Sequence, residues 1–194
     1  MQKEFQFERF VEEWATIYHA MQHHPLHNNR FFLVDNWYAL QSLVQGLEVM
    51  RSPAVVVETD LEGRIDDRFD RRRYTVYVIA QSTGQDNGRS ALNAKRIAKS
   101  GILSLINLLH AFKNNKPILD ALPFQKGGYL DMLQNSILNG STLLQALDLD
   151  VSYNTTGEIF DGWYGVYFSF EDCVPYNRCV DYNDYLPKDY DTEP

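Results

Sequence analysis

The stretch YTVYVIA at residues 74–80 constrains this chain more than any other part of it. Tyr74, Val76, Val78 and Ala80 alternate with Thr75, Tyr77 and Ile79, and both sets are largely apolar. Alternation with period two marks a strand, and a strand apolar on both sides must be covered on both sides. Upstream, AVVVET at 54–59 is short, β-branched and preceded by Pro53, so it reads as a second strand. Gly63 lies between them, where a turn is needed. Together they predict a long antiparallel hairpin whose distal part is the charged run 66–73.

Helical spacing surrounds this hairpin. Phe7, Phe10, Val11, Trp14, Ile17, Tyr18 and Met21 recur at three and four, which predicts a helix over 4–22, with Glu8, Glu12 and Glu13 on the remaining surface. A second helix is expected over 35–50, with Asp35 as its N-cap. The clearest helix runs from about Ser90 to Phe112, with Arg89, Lys95, Arg96 and Lys99 gathered near its start. Residues 118–149 carry a weaker pattern with room for one short helix. A strong strand follows at 163–171, WYGVYFSFE, with LDLDVSYN at 147–154 as its partner through the connection TTGEIFDG.

This order predicts an α+β fold: an antiparallel sheet of two hairpins with helices packed on one face. It divides the chain into a helical extension at 1–34, a core at 35–172, and an acidic, tyrosine-rich arm at 173–194.

Apolar residues make up 44% of the 194, enough to bury a sizeable core. Twenty-six acids against eighteen bases give a net charge of -8, so the average surface repels DNA and anionic membranes. The apolar runs fall short of the roughly 20 residues a spanning helix needs. The N-terminus is charged throughout, and the chain reads as intracellular. In a reducing compartment Cys173 and Cys179 are expected as free thiols.

Little points to catalysis. His19 and His23, four apart, share a helical face but have no ligand-type neighbour at metal spacing, so they read as an exposed helix end beside His24 and His27. No nucleophile elbow, zinc-protease motif or phosphate-loop lysine is present. Glu58 and Asp60 with Asp148 and Asp150 are the set of acids that a metal-dependent nucleic-acid enzyme would draw together across a sheet. No cofactor or metal is expected.

The charged hairpin carries the candidate site. Between residues 51 and 74 there are six arginines and six acids, a net of zero. A DNA-binding ribbon needs excess positive charge to neutralise phosphates, and this one has none. Interleaved signs suit contacts between copies, where acids of one meet bases of the next. Charge on a solvated hairpin tip also blocks edge-to-edge aggregation. The candidate subunit contacts are Arg64, Asp66, Asp67, Arg68, Asp70, Arg71, Arg72 and Arg73. In the C-terminal arm, Tyr176, Tyr182, Tyr185 and Tyr190 are candidate partner contacts.

The order of SPAVVVET, RRRYTVYVIAQ, the helix opened by RSALNAKRIAKSGILSLINLL, and GWYGVYFSFE resembles the tail terminator (tail completion) proteins of tailed phages. The resemblance covers roughly residues 35–172 and rests on element order. It implies a structural, non-enzymatic virion protein, assembled in the host cytoplasm into a homo-oligomeric, hexameric ring at the head–tail neck. Its implied partners are further copies of itself, the tail tube, head–tail connector proteins and DNA passing through without specific binding; a membrane is not among them. The alternatives are an adaptor that binds another protein without forming a ring, and the nucleic-acid enzyme named above.

Overall fold

A computed structural model of the protein describes residues 5–36, 38–40, 42, 50–59, 64–65, 69–83, 87–138 and 151–175, with the backbone alone at 64–65, 69–72, 87, 136–138 and 171–175. Six strands form one sheet: β1 (Phe31–Val34), β2 (Ala54–Thr59), β3 (Arg64–Ile65), β4 (Phe69–Gln81), β5 (Tyr153–Phe160) and β6 (Trp163–Pro175). Their order is β1-β2-β4-β6-β5, with β3 also pairing β4. Every pairing is antiparallel except that of β1 with β2. The helices bounded within the described residues are α1 (Phe7–Ile17), α2 (Asn87–Lys113) and α3 (Tyr129–Leu138), with a 3-10 turn at Pro117–Ala121. Of the helix predicted over 35–50, residues 38–40 and 42 are helical, and 37, 41 and 43–49 lie outside the described residues. The fold is α+β, with a mostly antiparallel sheet and helices packed on it.

The two apolar faces of β4 are both covered. Tyr74, Val76 and Val78 join Val55, Val57, Val166, Phe168 and Phe170 in the larger core, beneath α1, α2 and α3. Tyr77 and Ile79 point the other way, into a smaller cluster with Val34, Leu40, Val56 and Trp163. The helix α2 lies close to the sheet because Gly101 lacks a side chain; a Cβ there would stand 2.9 Å from Val78 Cγ1. Phe7, Phe10 and Val11 of α1 are fully buried in that same larger core, and β1 adds an edge strand. Sheet and core therefore include residues on both sides of position 34.

Three elements depart from the sequence-based expectation. Helix α1 ends at Ile17, not at residue 22, because Tyr18 turns to extended backbone. The Tyr18 ring stacks on Trp14 at 5.1 Å, and its hydroxyl donates to Ser100 Oγ at 3.3 Å, so tertiary contact redirects the chain. Strand β1 was not anticipated. The partner of β6 lies at Tyr153–Phe160, not at 147–154. TTGEIF is strand, and the connection shrinks to Asp161 and Gly162, with φ of 42° and 76°. Positive φ at both turn residues matches the twist of a tight hairpin, so no longer loop is needed.

Candidate assembly surface

Strand β2 ends where Thr59 faces Tyr74, but β4 and β6 continue together past that point. Their ladder runs Arg73 opposite Glu171, Arg72 opposite Asp172, Arg71 opposite Cys173, Asp70 opposite Val174 and Phe69 opposite Pro175. On the other side of β4, β3 places Arg64 opposite Arg71 and Ile65 opposite Asp70. The result is a three-stranded arm. Its base is anchored in the core: Tyr74 stacks on Phe170 at 5.6 Å, Phe7 meets Phe170 edge-on at 4.6 Å, and the Thr75 and Ser169 hydroxyls share a 2.9 Å hydrogen bond. Strand β5 begins opposite Phe168. The outer edge of β6 over 169–175 therefore has no strand partner among the described residues.

The predicted contact residues are gathered here in part. Arg64 lies on β3, Asp70, Arg71 and Arg72 lie on β4, and Arg73 of β4 is exposed. Asp66, Asp67 and Arg68 lie outside the described residues, as do Tyr176, Tyr182, Tyr185, Tyr190 and Cys179. The structure adds two acids that the sequence reading left out of the site, Glu171 and Asp172, because β6 runs on to Pro175. The signal was present in EDCVP, directly after the strand, but its charges hid the continuation. Two register rows thus set arginine against acid within one chain. A third sets Arg64 against Arg71, and like charges directly opposite destabilise a sheet unless an anion comes from elsewhere.

The other candidates have structural partners. Glu58 accepts a hydrogen bond from the Tyr77 hydroxyl at 2.8 Å. Burial, and then that carboxylate, push the Tyr77 hydroxyl well above its ordinary pKa. Asp60, Asp148 and Asp150 lie outside the described residues. His19 and His23 do not share a helix, since α1 ends before both. His23 is not an exposed helix end but a buried ring whose Nδ1 accepts the Arg30 N–H at 3.1 Å. Arg30 Nη1 in turn donates to the Ser52, Pro53 and Ala20 carbonyls, which ties this loop to the entry of β2. Glu13, read as solvated, instead caps α3: its Oε1 accepts the Tyr129 N–H and its Oε2 the Leu130 N–H at 2.8 Å. A carboxylate at a helix N-terminus satisfies otherwise unpaired amides and opposes the helix dipole.

Among the described residues, no group of three His, Cys, Asp or Glu is placed to hold a metal, and no helix is long and apolar enough to cross a membrane. A half-open groove of about 310 Å³ lies between α1 and α2, walled by Trp14, Tyr18, Leu108 and Ile118. No protein-family model matches the chain, and no curated protein matches it.

Proposed function

We propose that the protein is a structural subunit that assembles with copies of itself through the β3–β4–β6 arm. The resemblance to tail terminators gives this association its form: a homo-oligomeric ring, hexameric as in that family, at the head–tail neck of a phage virion, meeting tail tube and connector proteins and letting DNA pass. One observation carries the reading. Residues 169–175 of β6 have strand backbone with no partner on their outer edge among the described residues. An open strand edge is a template for pairing with another chain. Register also sets Arg64 opposite Arg71, a like-charge row that an acid of another copy would complement.

The test is mass in solution by sedimentation velocity, for the protein alone and with purified tail tubes. A multiple of the subunit mass in either setting supports assembly. A single-subunit mass in both overturns it.

A further inference from the structure

We propose that the exposed face of α2 is the docking surface for residues 176–194 of a second copy of this chain. The inference deepens the assembly reading, and its test is separable from that of the arm.

Residues 87–119 contain six lysines and arginines and not one aspartate or glutamate, in a chain with a net charge of -8. The helix turns this excess to one side. Arg89, Leu92, Arg96, Lys99 and Leu103 recur at spacings of three and four, so they share a face, and all are exposed. Leu92 is 49% exposed and Leu103 37%. Among the described residues, Arg89, Arg96 and Lys99 form no ion pair. Among the described residues, the face therefore presents positive charge without a paired acid, interleaved with leucine. Phosphate backbones would use the charge and leave the leucines in water; an acidic segment carrying aromatic rings would use both.

The chemistry of the neighbouring contacts agrees. Lys95 Nζ lies over the Tyr164 ring at 5.3 Å, and Lys99 Nζ over the Tyr153 ring at 5.1 Å. Ammonium groups of this helix thus already take tyrosine faces as partners. Directly beyond Leu103, Ser104 and Leu108 enter the apolar groove beside Trp14. Residues 176–194 hold five acids, two bases and four tyrosines, the composition such a surface selects.

The assembly reading supplies a neighbour's segment at this face, while the chain's own segment starts at a distance from the helix entry. Tyr164 sits beside Lys95, and β6 then carries the chain eleven residues on to Pro175. At about 3.3 Å per residue this is roughly 36 Å along the ladder. The segment therefore starts at the end of the sheet remote from its own α2 entry.

The test uses the full chain. Tyr185 is replaced by the photocrosslinker benzoylphenylalanine in one isotopic form, and this is mixed with wild-type protein of the other form. Illumination is expected to give heavy–light crosslinks to residues 89–104. Arg89→Glu with Arg96→Glu should cut that yield at least tenfold. The milder Arg89→Gln with Arg96→Gln should cut it severalfold, with an unchanged circular dichroism spectrum in each. Crosslinks confined to one isotope, or directed elsewhere, overturn the proposal. Loss of the crosslink to a stoichiometric DNA duplex overturns it too, because the face would then be a nucleic-acid surface. A ring without the heavy–light crosslink would sink this reading alone, whereas a single-subunit mass with no heavy–light crosslink would sink both.

Discussion

His23 is held in one tautomer by its surroundings. Its Nδ1 accepts the Arg30 amide, so the proton sits on Nε2, a buried atom without a hydrogen-bond partner, 3.8 Å from Glu12 Oε1. Burial lowers its pKa from the ordinary 6.5; Glu12 pulls the other way and His24 adds to the lowering. The unfolded ring takes a proton near pH 6.5, and the folded ring only at lower pH. His23 thus contributes its full stability above pH 6.5 and loses it as pH falls through the folded value. Denaturation midpoints of wild type should drop between pH 7 and pH 5 more steeply than those of His23→Gln, by up to about 1.4 kcal/mol per pH unit. Parallel profiles would show that another group titrates. The Glu13 cap allows a second test at this scale. A Cβ on Gly128 would stand 2.9 Å from both Glu13 Oε2 and the Gln125 carbonyl oxygen, so the glycine makes room for the carboxylate and for the turn before the helix. Glu13→Ala and Gly128→Ala should each cost about 1–2 kcal/mol in urea denaturation. The double variant should cost less than their sum, since both remove one interaction. Strict additivity would assign the cost at Gly128 to the Gln125 carbonyl and not to Glu13.

Elements set which charges meet. Register sets Arg72 opposite Asp172 and Arg73 opposite Glu171 within one chain, so simple reversal of the arginines would place like charges across the ladder as well as altering any contact between copies. A swap separates the two. Arg72→Glu with Asp172→Lys, and Arg73→Glu with Glu171→Lys, keep opposite charges in each row but invert what a neighbour meets. The swapped chain should retain its folding stability within about 1 kcal/mol, and its assembly should fall at least tenfold by sedimentation. Unchanged assembly would remove these rows from the contact. How much of this was legible in the sequence follows from what each strand buries. Strands β4 and β6 announce themselves because their alternating apolar residues enter the core. Strand β5 was misplaced because only Thr156 and Ile159 of its eight residues are buried and its register to β6 shifts twice, so hydrophobic alternation could not locate it. Strand β1 has one buried residue in four and is held by a parallel pairing more than twenty positions away. The charged run was visible as a run, but its acids on β6 lie about a hundred residues downstream, and no local pattern reports such a pairing. Glu13 failed for the same reason, since Tyr129 and Leu130 lie more than a hundred residues on, whereas His23 is held by Arg30, seven residues away across a loop that carries no periodic signal.

The whole molecule is electrically lopsided. With residues 87–119 free of acids, the rest of the chain holds all 26 acids against twelve bases. Two copies can therefore approach with the basic helix of one toward acidic surface of the other, an arrangement that attracts despite equal net charges of -8. Salt then decides between two kinds of assembly. The Debye length falls from about 10 Å at 0.1 M to about 3 Å at 1 M, which screens charge–charge attraction between exposed groups. Apolar burial responds in the other direction or not at all. If charge drives association, the dissociation constant should rise at least about tenfold between 50 mM and 500 mM sodium chloride, and Arg89→Glu with Arg96→Glu should flatten that dependence. Sedimentation velocity across the salt series measures both. A constant that is unchanged or tighter at high salt would assign the contact to the leucines and the open β6 edge, and would demote both the arm's arginines and the basic face of α2 to solvated charge.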